Sequence, residues 1–411
     1  MATLVAREVQ PAVTQYSVKD LNIPARILMG AGPSNIHPRV LQAMTKPLLH
    51  HLDPDFIHIM DKVAEMLQQV FGASGGFTLP VSGTGSAGME AGLANLLVPG
   101  DHLVVVSHGF FGERLAEIAL RHGATVTQVQ GPWGGVIAPE DVERELKRHR
   151  KVKVLAAVHA ETSTGVLQPL EELTKLAHKY DALFLVDAVA SLGGAPVDVD
   201  ATGIDLCFSA TQKCIGAPPG LAPVHLNERA LSAVRGRKEP PRSWYLDLGL
   251  LHKYWEGGTR AYHHTAPISM IYALREALRL MLEEGLEQRY ARHRRNGLAM
   301  RAGLEALGLK LLVPEEFSTC QLITVLVPDG VDEGRVRTRL LSEHNIQISG
   351  GLGHLQGKIW RVGLMGESCT SENALLLLLS VLEELLPKED FEVPAGDGVA
   401  AASQVLTDAR C

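Results

Sequence analysis

The 411-residue sequence is short of the features that staple or anchor a chain. Its five cysteines, Cys207, Cys214, Cys320, Cys369 and Cys411, are scattered and include no CxxC pair, so neither a disulfide framework nor a zinc site is suggested. A reducing compartment fits that usage. Long hydrophobic runs are missing as well: the longest purely apolar one, Ala374 to Leu379, falls far below the roughly 20 residues that cross a bilayer. The opening Met1-Ala-Thr-Leu-Val-Ala-Arg-Glu8 has no apolar centre of the secretory kind. There is no basic excess, since Lys and Arg number 39 against 46 Asp and Glu, a net charge of −7 that argues against nucleic acid as the main partner. The expectation is a protein of the cytoplasm, without membrane or nucleic-acid partners.

What the chain has is length and alternation. It exceeds one ordinary core, so a large domain and a smaller one are expected. Residues 1–22 read as an arm, 23–290 as the large domain, 291–388 as the small one, and 389–411 as a flexible tail rich in Gly, Ala, Ser and Pro. From Pro38 to Phe71 the apolar residues recur at helical spacing. Short apolar runs then alternate with amphipathic stretches: Phe77–Val81, Leu103–Val106, Thr125–Val129, Val152–Val158, Leu183–Val186, Leu206–Ala210 and Leu221–Val224 as strands, with helices between most of them. This rhythm predicts an α/β fold with a mainly parallel sheet of seven strands between helices. One long helical stretch is expected over 268–306, then strands at 309–313, 322–327, 346–349 and 359–362 in a smaller α+β unit.

Four strand ends carry polar groups suited to chemistry. Lys213, in Ser209-Ala-Thr-Gln-Lys-Cys-Ile-Gly-Ala-Pro-Pro-Gly220, lies between an apolar strand and a Gly/Pro-rich turn. A desolvated lysine loses its proton readily, and the neutral amine can form a Schiff base with an aldehyde; the plain alternative is a lysine snorkelling beside a turn. Ser82-Gly-Thr-Gly-Ser-Ala-Gly88, between a strand and a helix, offers backbone N–H groups to an anion. It also spells GxGxxG, but the next strand ends in Val106-Ser107-His108 with no acid to hold a ribose, which argues against a dinucleotide. Asp187 ends the apolar run Phe184-Leu-Val, where a carboxylate needs a partner such as a protonated pyridine nitrogen, or else caps a turn. Thr162 and Phe111 follow two further strands. The hydroxyl would donate to a phenolate oxygen of the same ring and the aromatic face would stack on it, although a core Phe is the commoner fate.

In this order these pieces resemble the class V, fold-type I pyridoxal phosphate aminotransferases, with alanine:glyoxylate and serine:pyruvate aminotransferases the nearest in pattern. The matching motifs are Gly30-Ala-Gly-Pro-Ser-Asn35, Val81-Ser-Gly-Thr-Gly-Ser86, Glu161-Thr-Ser-Thr-Gly165, Val186-Asp-Ala-Val-Ala190, Ser209-Ala-Thr-Gln-Lys213, Tyr262-His-His-Thr265, Gly350-Gly-Leu-Gly353 and Trp360-Arg-Val-Gly-Leu364, spread over residues 20–387. The resemblance implies pyridoxal 5'-phosphate as cofactor, Lys213 as its Schiff-base lysine and Asp187 as partner of the ring nitrogen. Thr162 is implied at the ring oxygen, Phe111 on the ring face, and Thr84, Gly85, Ser86 and Gln212 at the phosphate. It further implies a homodimer whose partner supplies Tyr262 and Thr265 to that phosphate, and substrate binding by Arg361, whose fork suits a carboxylate, and by Ala31 at the substrate edge.

Transamination of alanine or serine with glyoxylate or pyruvate is the implied activity; ureidoglycine or 3-hydroxykynurenine are alternative donors. Two departures bear on substrate choice: Gly30-Ala-Gly-Pro33 replaces the Gly-Pro-Gly-Pro of some relatives, and Ser86 replaces the His of the animal alanine:glyoxylate enzymes. A cysteine desulfurase-like lyase needs a nucleophilic Cys shortly before the substrate arginine, and 350–358 has none. A silent scaffold would not need Lys213, Asp187 and Arg361 together. The ending Ala409-Arg-Cys411 is a poor imitation of a peroxisomal signal, so the peroxisome is the alternative compartment.

Overall fold

The computed structural model describes residues 20–256 and 260–408; most of the expected arm and the three C-terminal residues lie outside these. Seven strands form the central sheet: β1 (Phe77–Ser82), β2 (His102–Ser107), β3 (Thr125–Gln130), β4 (Val154–Val158), β5 (Leu183–Asp187), β6 (Leu206–Phe208) and β7 (Leu221–Leu226). Their order is β1-β7-β6-β5-β4-β2-β3, and β7 alone runs antiparallel to its neighbours. Strands β4 and β5 are buried along their whole length, which is why they read as unbroken apolar runs rather than alternating ones.

Register decides where the chemistry gathers. Val158 pairs with Asp187, and Asp187 with Phe208, so the carboxyl ends of β4, β5 and β6 finish level. Loops leaving that edge therefore meet over it, the usual ligand position in an open α/β sheet.

Two large hydrophobic clusters organise the described residues, with a small third one of Ala31, Cys214, Leu322 and Met365. The larger runs from Val40 to Met281; the second gathers Met29 with Ala299, Met300, Trp360 and Leu375, among others. Ile27–Leu28 pairs in parallel with Ile346–Gln347, so the chain touches the second cluster before it builds the first. The expected boundary at 290 falls inside the helix Leu286–Ala306.

Several elements differ from expectation. The helical stretch over 38–71 is two helices, Pro38–Met44 and Pro54–Phe71, because a proline at the start of each suits the first turn and no helix interior. The stretch over 268–306 breaks at Gly285, whose φ of 84° is open to glycine and ends the helix Ile268–Glu284. Leu309–Val313 forms no named strand: Leu311 makes a single antiparallel bridge to Val325, and Pro314 follows. The 346–349 strand is two short ones, Ile346–Gln347 and Ser349–Gly350, each pairing with a different partner.

The largest correction concerns the tail expected to be flexible. Asp397–Asp408 is a helix whose Ala402 and Leu406 are buried in the second cluster. Small residues read as looseness instead permit close packing: a Cβ on Gly303 would stand 2.9 Å from the Gly398 carbonyl. The Glu383 carboxylate accepts hydrogen bonds from the N–H groups of Gly396 (3.0 Å) and Gly398 (3.1 Å) and so fixes the start of this helix. Among the described residues no helix is long and apolar enough to cross a membrane.

Candidate active site

Beyond β6 the chain makes a single π-helical turn, Thr211–Ile215, and the backbone leaves helical geometry at Lys213 (φ −104°, ψ −130°) before closing at Gly216. Thr211 Oγ1 donates to the Leu221 carbonyl (3.2 Å), tying the turn to the start of β7. This aims the lysine at the 30–33 loop, where Nζ donates to the Ala31 carbonyl. Gly32 has φ 99°, a backbone conformation that strains any other residue, and its missing Cβ leaves the Lys213 side chain room beside the loop. Burial, followed by the nearby charge of Arg361, lowers the Lys213 pKa to about 8. A free amine is then present at neutral pH, as nucleophilic chemistry requires.

Asp187 is the opposite case. Burial, reinforced by the charge of Glu161, raises its pKa to about 7 even though Val189 N–H donates to Oδ1 at 2.8 Å. A carboxyl held there stands ready for a cationic partner, which would restore its full charge. Asp187 and Lys213 share one cavity of about 200 Å3 with Thr84, Gly85, Ser86, Phe111, Thr162 and Gln212. Eight residues singled out in the sequence thus line one space.

The remaining four lie elsewhere. Ala31 is buried against Lys213. Arg361, from the strand Ile359–Gly363, sits behind the cavity wall, donating from Nε to the Gly350 carbonyl (2.7 Å) and from Nη1 to the Thr162 carbonyl (2.8 Å). Burial lowers its pKa to about 10, which leaves it a cation at neutral pH. Tyr262 and Thr265 are exposed and line no part of this chain's own cavity.

The donor set fits pyridoxal phosphate. The helix Gly85–Leu96 begins at Thr84 without a side-chain cap, leaving backbone N–H groups for a phosphate. Gln212 Oε1 is buried without a hydrogen-bond partner, and a rotation of that amide presents N–H donors to the same anion. An amine for the aldehyde and a carboxyl for the ring nitrogen complete the set.

Two residues of the site had no role in the sequence. Arg114 lines the cavity, visible beforehand only as a cation three positions after Phe111 on a helix face. Glu161 is fully buried, and burial raises its pKa against the hydrogen bonds it accepts: from Phe111 N–H (3.0 Å), Gly112 N–H (3.4 Å), Ser163 N–H (2.9 Å) and Ser163 Oγ (2.6 Å). Ser163 Oγ accepts in turn from Phe110 N–H at 2.9 Å. The pair caps the helix Phe110–Arg121 and locks Phe111 to the loop that carries Thr162. Glu161→Gln would set an amide NH2 against backbone N–H donors. The apo-protein is expected to lose about 1–3 kcal/mol of stability. Urea unfolding checks this, and an unchanged midpoint would contradict the capping role.

Comparison with known proteins agrees with the geometry. The family described as Aminotransferase class-V matches residues 26–364. The crystal structure of ureidoglycine-glyoxylate aminotransferase from Bacillus subtilis superposes with a TM-score of 0.92 at 41% identity, covering 95% of this chain and 100% of that one. Alanine–glyoxylate aminotransferase of Rattus norvegicus is 44% identical over 87% of this chain and 86% of its own length. The crystal structure of an alanine–glyoxylate aminotransferase from Nostoc sp. has a TM-score of 0.88 at 47% identity, over 90% of this chain and 97% of that one. With the family's match covering the whole central sheet and the cavity that Lys213 and Asp187 share, this chain belongs to the class-V aminotransferases.

Proposed function

We propose that this aminotransferase uses pyridoxal phosphate to move the amino group of a small amino acid, alanine before serine, to glyoxylate, with pyruvate as a second acceptor. The observation that carries this reading is the meeting of the Lys213 amine, the Asp187 carboxyl and the uncapped helix start in one cavity, with the Arg361 guanidinium directly behind Thr162. Bound there, the cofactor supplies the electron sink that lets the Cα–H bond of an amino acid break.

The chain's own groups do the rest. Lys213 Nζ, neutral in appreciable fraction because it is enclosed, would hold the cofactor through its amine and, when free, would accept and return the Cα proton. Asp187 would hold a positive charge on the ring nitrogen. Arg361 spends two of its five N–H groups on carbonyls and keeps the others for the substrate carboxylate, which orients the scissile bond. Thr162 and Phe111, in the same cavity wall, would hold the ring oxygen and the ring face.

The reading includes a homodimer in which Tyr262 and Thr265 reach the partner's phosphate site. Support comes from their position outside their own cavity and from an exposed aromatic surface, with Trp244 60% and Tyr262 59% accessible in the single chain. The four free thiols among the described residues, Cys207, Cys214, Cys320 and Cys369, support the cytoplasm as compartment.

A second reading, (S)-ureidoglycine as donor, is favoured by the B. subtilis relative, which aligns over more of this chain than the rat enzyme does. Against it, Tyr262-His263-His264 resembles the alanine-type enzymes. Purified protein given glyoxylate with alanine, serine or (S)-ureidoglycine decides: kcat/KM for alanine is expected to lead, and a clear lead for ureidoglycine would replace the first reading by the second.

A further inference from the structure

One cation in the cavity wall has no role in this scheme. Arg114 sits three residues after Phe111 on the helix Phe110–Arg121 and therefore on the same face. Its guanidinium lies 4.9 Å from the Phe111 ring centroid and 5.1 Å from that of Phe110, and Nη1 donates to Ser86 Oγ at 3.3 Å. Ser86 belongs to the first turn of the uncapped helix Gly85–Leu96. Among the described residues no carboxylate pairs with Arg114.

These facts combine into an electrostatic argument. A guanidinium resting on two aromatic rings is held by cation–π attraction in a restricted position. Beside it stand free N–H groups at the positive end of a helix. The Asp187 carboxyl, in the same cavity and drawn down by the Arg114 charge, offsets this positive potential only in part, and a phosphate monoester, carrying about −1.5 to −2 at pH 7, would supply a full counter-charge.

We propose that Arg114 is the cationic binding residue of the phosphate subsite, held over Phe111 and Ser86 so that its charge faces the cofactor's phosphate ester. The proposal rests on the pyridoxal phosphate reading and assigns to one residue the charge partner that the backbone N–H groups, Gln212 and Ser86 cannot provide. It also gives the Ser86 position a consequence, since the short hydroxyl leaves room for the guanidinium to reach the helix start.

The test compares apo wild type with Arg114→Gln and Arg114→Lys, titrated with pyridoxal phosphate and, separately, with pyridoxal, which lacks the phosphate. Binding is followed by absorbance and protein fluorescence. Arg114→Gln is expected to weaken pyridoxal phosphate roughly 10- to 100-fold, the loss of one charge-assisted contact, while pyridoxal binding changes little. Arg114→Lys is expected to recover part of the loss, because a point charge still attracts a phosphate. Inorganic phosphate should compete with the cofactor on wild type and much less on Arg114→Gln. Equal losses for both ligands would overturn the proposal and leave Arg114 as a prop for the Phe111 ring; no loss for either would overturn it too. Wild type that binds neither ligand would refute the cofactor reading itself, an outcome distinct from both.

Discussion

Lys213→Ala is expected to lower transamination by roughly 10^4-fold or more, since the proposed mechanism gives one amine both the covalent hold and the proton transfer. The residue is placed for both tasks by the chain around it. The π-helical turn aims it at the 30–33 loop, Gly32 clears the space beside Nζ, and enclosure brings its pKa from 10.5 down to about 8. Because the folded value is depressed, protonated amine dominates below pH 8 and free amine above it. The rate at which apo-protein captures pyridoxal phosphate covalently should therefore rise as pH passes through about 8. Stopped-flow absorbance measures that rate, and alanine turnover by the variant measures the loss. Turnover near the wild-type level in Lys213→Ala would end the proposed mechanism.

Arg361→Lys is expected to raise KM for alanine roughly 30- to 100-fold with a smaller effect on kcat, equivalent to about 2–3 kcal/mol of lost carboxylate binding. The guanidinium is buried and pinned by the Gly350 and Thr162 carbonyls, so its free edge has a fixed direction. A lysine ammonium is a point charge without a fork and would leave one of those carbonyls without its donor. Steady-state kinetics over a range of alanine concentrations separates the two parameters. Unchanged KM and kcat would remove Arg361 from the substrate site. Since Arg361 also contributes to the lowered pKa of Lys213, keeping the positive charge confines the variant's effect largely to geometry.

Much of this architecture is readable from residue order, for a physical reason. Parallel strands buried on both faces must be apolar throughout, so a polar residue where such a run stops, as at Asp187, stands out. Lys213 and the Ser82–Ser86 loop are legible on the same ground. Arg114 is not, because its meaning comes from two helices that approach only in the fold, through a contact between Arg114 and Ser86. Glu161 stands in its motif without a legible role: its partners are mostly backbone N–H groups, which leave no trace in the sequence. The helix Asp397–Asp408 was hidden by composition, since the same small residues mark loose segments and close helix contacts. The break at Gly285 is not legible in the sequence, because a glycine inside a helical pattern is tolerated elsewhere in this chain, as at Gly297 and Gly303.

The claim that a class-V aminotransferase works here through Lys213 can be tested in one step. Purified protein saturated with pyridoxal phosphate is reduced with borohydride, digested, and its peptides are mapped by mass. The account predicts a stable pyridoxyl group on Lys213, and none after prior incubation with excess alanine, which displaces the lysine. A pyridoxyl group on another lysine, or no trapping at all, would contradict it.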